Sequence, residues 1–244
     1  MMFFLFGFWR GLNRYQTLSA MFLLIPYEIE TLRQRMPWAN WAIVGACSLI
    51  SLVALFGGGL YSGSFDLLVL DGLQPIGVIG HVFLHGDILH LAGNMIFLWV
   101  FGNAICMNTN NGVYALTFLV CTIVAALVHV FIDGDPAIGA SGAINGIVGV
   151  TLAMYPKNRV YLFWLFLYRG GSTSCRAWVI IVAWFCFDVW GVVTGGGMIA
   201  YWAHIGGFLG GLGFGLLALH NGWFQLTAYD NESLLEIMRG ESAD

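Results

Sequence analysis

The chain has 244 residues, of which 59% are hydrophobic and only 9% charged. A water-soluble domain carries about a quarter charged residues, so this composition excludes one and reads as an integral membrane protein whose apolar runs are spans. The net charge of −4 arises from few ionised groups and no basic tract, which argues against a nucleic-acid partner.

In chain order, the first ten residues, MMFFLFGFWR, are apolar but too short to span. They lack the charged leader and small-residue cleavage site of a secretory signal, so a cleaved signal is not expected. Residues 1–37 read as a cytoplasmic N-terminal segment in which YEIETLRQR, 27–35, forms a short surface helix, with Pro37 marking the start of the first span. A membrane domain over 38–219 follows, and a polar cytoplasmic tail occupies 220–244. Spans are expected at 41–60, 85–103, 113–131, 141–155, 177–193 and 199–219. The fourth is about fifteen residues long where a crossing needs about twenty, so it thins the bilayer or leaves a depression at one end. VYLFWLFLY, 160–168, is too short to cross and is placed at the interface.

Positive charges set the orientation. Arg10, Arg14, Arg33 and Arg35 precede the first span, Lys157, Arg159, Arg169 and Arg176 separate the fourth from the fifth, and Arg239 lies in the tail. With six spans these segments share one side, which the positive-inside rule makes cytoplasmic, and both termini are expected there. Spans two, four and six then all start from the external side, and near those starts lie His90, Ser141 and His204. The five cysteines form no CxxC pair and read as small apolar side chains.

Ser141, in AIGASGAING, is a candidate nucleophile. Gly139 and Gly142 leave its hydroxyl accessible, and helix N-terminal N–H groups can stabilise developing negative charge. A lone membrane serine among small residues otherwise only packs helices. His204, in AHIGGFLGG, is the candidate base. Gly207 and Gly211 share its helix face, and Gly142 and Gly146 offer a matching stripe on span four, so packing the two helices can bring His204 within reach of Ser141. His90 and Asn94 stack at i, i+4 and offer two N–H donors for an oxyanion. Read blandly, they join helices by hydrogen bonds. His81 and His85 also stand at i, i+4, but no acidic ligand pattern accompanies them and no metal site is expected. Nucleophile, base and paired donors at one depth match the constellation for acyl transfer.

GASGAING, AHIGGFLGG and HVFLHGDILHLAGNMIFLWVFGN, 81–103, resemble the rhomboid intramembrane serine proteases. The resemblance implies an all-α membrane protein: a six-transmembrane-helix rhomboid-like bundle with a short central fourth helix and a water-filled cavity above it. It implies a Ser–His dyad without an aspartate, with Ser141 as nucleophile, His204 as general base and His90 and Asn94 as oxyanion donors. It implies no cofactor, and as partners the lipid bilayer and transmembrane protein substrates cut in or near their membrane segment. The compact layout suggests a bacterial inner (plasma) membrane. Two departures stand out. A tyrosine that many members carry four residues after the nucleophile is here Asn145, which shares Ser141's helix face and is a candidate for supporting the histidine or a water. The loop after span one also lacks the Trp-Arg pair of some members.

Span five carries AWFCFDVWG. Trp184, Phe185, Phe187 and Trp190 read as lipid-facing or core aromatics, or else as a gate packed against span two. Asp188, an acid within the membrane, is expected to face the bundle, hydrogen-bonded or protonated; orienting His204 is the alternative role. A rhomboid-like client binder without activity, and a small transporter, are the rival functions.

Overall fold

The computed structural model describes residues 22–57, 63–166, 168–195, 199–227 and 230–241. The N-terminal apolar stretch 1–10 and the expected end of the first span, 58–60, lie outside the described residues. Among the described residues, five helices are long and apolar enough to cross a membrane: α1 (Trp38–Phe56), α2 (Ile88–Asn108), α3 (Asn111–Ile132), α5 (Ala177–Thr194) and α6 (Tyr201–His220). Between them lies the shorter α4 (Ser141–Met154), 14 residues long. A three-stranded antiparallel sheet, β1 (Phe22–Ile29), β2 (Arg159–Phe166) and β3 (Arg169–Arg176), supplements the bundle in the order β1-β2-β3. A short α7 (Leu234–Arg239) follows α6, started by a capping box between Ser233 and Glu236.

Local chemistry sets the helix ends. Pro37 precedes α1. Asp87 caps α2 by accepting the His90 N–H at 2.8 Å, and Asn110 caps α3 by accepting that of Val113 at 2.8 Å. Gly195, at φ +67°, ends α5 in the left-handed conformation that glycine adopts without strain. The expected surface helix at 27–35 does not form. Tyr27, Glu28 and Ile29 belong to β1, and 30–37 is irregular. The aromatic and branched run of β2 favours an extended chain, and a strand beside a membrane needs partners for its backbone groups. β1 supplies them on one side and β3 on the other.

The core is organised around α4, every residue of which is buried. Its glycines mesh with those of α6. A Cβ at Gly207 would overlap the Gly142 carbonyl oxygen, one at Gly211 the Gly146 carbonyl oxygen, and one at Gly149 the Phe208 carbonyl oxygen. Next to them on α6, Gly206 and Gly210 admit Val128 and Val124 of α3. Side-chain-free backbone thus wedges α6 between α3 and α4 at a separation that no larger residue permits. Elsewhere a buried polar knot joins three helices. Asn40 of α1 donates to the Leu98 carbonyl at 3.0 Å and to Asn103 Oδ1 at 2.8 Å, and accepts from the Tyr114 hydroxyl of α3. Its acceptor Leu98 opens a π-helical turn in α2, Leu98–Gly102, and Gly102 has no side chain where Asn40 and Tyr114 meet.

Candidate active site

Ser141 is the first residue of α4. The loop before it is held from two directions. Leu70 and Ala137 exchange backbone hydrogen bonds of 3.0 Å each, and the Gly139 N–H donates to the His81 carbonyl at 2.9 Å. Gly139 has φ +119°, which a side chain would strain, and a Cβ there would sit 2.9 Å from His90 Cε1. Glycine is therefore required at this position twice over, by backbone conformation and by the imidazole pressed against it. The same close approach brings the loop to Asn94, whose Nδ2 would lie 3.8 Å from that Cβ.

His204 lies in the first turn of α6, and its Nε2 stands 2.9 Å from Ser141 Oγ. The meshed glycines of α4 and α6 fix this approach. The other ring nitrogen, Nδ1, lies 2.8 Å from Asp188 Oδ1 on α5. Ser141 is 8% and His204 2% exposed, so bulk water competes little for either bond. Tyr201, one turn before His204, meets its ring edge-on at 6.1 Å and packs on Gly191 of α5, where a Cβ would overlap the phenol ring.

His90 and Asn94 both flank Gly139. The Asn94 side chain is 1% exposed, and neither its Nδ2 nor its Oδ1 has a hydrogen-bond partner among the described residues. An orphaned buried amide costs about 1–3 kcal/mol, and such a group beside a serine–histidine pair is suited to hold a transient ligand. His90 is propped by His85, whose ring meets it at 5.1 Å and 72°. Ser51 of α1 has one hydroxyl proton, and the Phe83 carbonyl at 2.8 Å can only accept it; His85 Nδ1, 2.7 Å from the same hydroxyl, is therefore the N–H donor. The motifs carry no signal for this support from Ser51, which lies on α1, outside all of them. Burial holds His85 down to about 3 and His81 down to about 4, so both are neutral at ordinary pH.

Other expected site features fall elsewhere. Asn145 donates its amide to the Ser141 carbonyl at 3.0 Å, one turn back along α4. The two nitrogens of His204 face Ser141 and Asp188 instead. Among the α5 aromatics, Trp184 packs on Phe97 and Phe101 of α2, and Phe185 on Phe208 of α6. Phe187 and Trp190 are exposed, at 41% and 66%. No group of three or more potential metal ligands occurs among the described residues. All five cysteines are free.

Comparison with known proteins bears on this arrangement. A family model described as Rhomboid domain matches residues 73–221, more than half of the chain. Rhomboid protein 1, mitochondrial, of Saccharomyces cerevisiae is 29% identical over 149 residues, 58% of this chain and 41% of its own length. Rhomboid protease GluP of Bacillus subtilis is 33% identical over 130 residues, 53% of this chain and 23% of its own. Rhomboid protease GlpG of Salmonella choleraesuis is 24% identical over 190 residues, 75% of this chain and 64% of its own. The chain thus spans less than two thirds of each of these relatives. With five helices of spanning length and these relatives, it is an integral membrane protein.

Proposed function

This chain belongs to the rhomboid family, and from that premise we propose that it is an intramembrane serine endopeptidase that cleaves single-pass transmembrane proteins in or near their membrane segment. The observation that carries the reading is the 2.9 Å approach of Ser141 Oγ to His204 Nε2, both buried at helix N-terminal ends. The orphaned Asn94 amide beside them supports it.

Ser141 Oγ attacks the scissile carbonyl carbon while its proton passes to His204 Nε2. The carbonyl oxygen becomes an oxyanion, held by donors from His90, Asn94 and the first turn of α4. The imidazolium returns its proton to the departing amine nitrogen as the C–N bond breaks, leaving an ester on Ser141. Water then attacks that ester, His204 takes its proton, and the serine is released. α4, at 14 residues, is too short to fill the bilayer's thickness, which lets water reach the site from the external face while protein walls exclude lipid. The substrate helix unwinds locally to expose its carbonyl.

In this reading α1 to α6 make six crossings of a plasma membrane of bacterial inner type. The segment before α1, 1–37, and the tail, 220–244, lie in the cytoplasm beside the basic residues of the β2–β3 region. Folded wild-type protein, reacted with a serine-directed fluorophosphonate and supplied with a model transmembrane substrate, should label and cleave, whereas Ser141→Ala should do neither. A folded wild-type protein that neither labels nor cleaves would favour a client binder.

A further inference from the structure

The Asp188 carboxylate is the partner that the dyad scheme leaves without a task. It is carried by α5, a helix with only four buried residues, yet its side chain is only 16% exposed and lies 2.8 Å from His204 Nδ1. No other carboxylate is recorded within ion-pairing distance of His204 among the described residues. α5 is shaped for the contact. One turn on from Asp188, Gly191 leaves the space that Tyr201 of α6 fills, and Tyr201 and His204 sit one turn apart on the facing helix. Two interlocked contacts therefore fix the depth and rotation of α5 against the base.

We infer that Asp188 is a positioning residue for His204, so that Ser141, His204 and Asp188 act as a hydrogen-bonded triad. This rests on the function proposed above. An ionised carboxylate only accepts, which places the neutral imidazole's proton on Nδ1 and leaves the Nε2 lone pair facing the serine hydroxyl. The opposite tautomer would present Nε2–H to Ser141 and disable the base. When Nε2 takes the serine's proton, the nearby negative charge stabilises the imidazolium at a site that water reaches poorly.

Two measurements test this. Asp188→Asn keeps the shape but removes the charge. It should lower kcat and the rate of fluorophosphonate labelling together by about 10²–10⁴-fold, with KM within about twofold and thermal stability near wild type. A carboxylate that only tied α5 to α6 would alter KM or stability while leaving labelling by the small probe unchanged, and that outcome would overturn the inference. The second uses the unmodified protein, so it does not depend on the variant folding. The 15N spectrum of the His204 imidazole at neutral pH should show Nδ1 protonated and Nε2 not; the reverse tautomer would also overturn it. Ser141→Ala separates the two levels. If it still cleaves, the proposed function fails; if it is inert while Asp188→Asn retains wild-type kcat and labelling, only the role of Asp188 fails.

Discussion

α4 and α5 each bring one group to His204, yet they are built in opposite ways. α4 is buried along all 14 residues and touches its neighbours through backbone. α5 is buried only at Ala177, Ile180, Ile181 and Gly191, and presents Phe187, Trp190 and Val193 outward. The contrast teaches that reacting groups and supporting groups tolerate different degrees of attachment. An attacking oxygen displaced by 1 Å can lose about 10²-fold in rate, and Ser141 opens the one helix that is buried along its whole length among the described residues. The carboxylate holds its ring through one hydrogen bond from an outer helix, which leaves that helix's far face free to contact lipid.

The largest expected effect breaks the α4 side of the contrast. Gly211→Leu would drive a side chain into the Gly146 backbone. Because backbone cannot step aside as a side chain does, the cost should exceed the roughly 1–3 kcal/mol of ordinary overpacking. The expected result is loss of folded protein in a detergent melting assay.

Acid should come next, and it should act on the loop that anchors α4. His81, whose carbonyl holds Gly139, is kept neutral by burial with its pKa lowered from 6.5 to about 4. The unfolded chain therefore binds the proton first as pH falls. The stabilisation is full above about 6.5 and is lost between there and about 4, a total on the order of 3 kcal/mol. Melting temperatures measured down this range should drop, and His81→Gln should flatten the decline.

Smallest are two single-residue changes that sharpen the contrast. Asn145→Ala removes the bond to the Ser141 carbonyl and should cost about 1 kcal/mol of stability. Unchanged stability and proteolysis would leave Asn145 no special role. Trp190→Leu on the exposed face of α5 should stay within about 0.5 kcal/mol of wild type.

Much of this site can be read from the sequence because it is written in small residues. Glycines at Gly142, Gly146, Gly207 and Gly211 mark helix faces where backbones meet, and that meeting carries Ser141 to His204. Helical spacing puts His90 and Asn94 on one face of α2, and both flank Gly139. The position of Asp188 was less legible, since α5 is apolar nearly all round and no stripe reveals which side faces inward. Its contact depends on a rotation set by Gly191 and Tyr201. The sheet is hidden in the sequence for a related reason: 27–35 carries the polar pattern of a surface helix, and only the remote β2 shows that its first residues are needed as a strand.

Because the carbonyls of Gly142 and Gly146 sit where α6 has only hydrogen atoms to offer, α4 and α6 cannot slide or roll past one another by any small step. They form a single keyed block, and the spacing between alcohol and imidazole is a dimension of that block rather than an adjustable setting. Any deformation imposed by a guest chain pushing in from the bilayer has to be absorbed by the parts outside it.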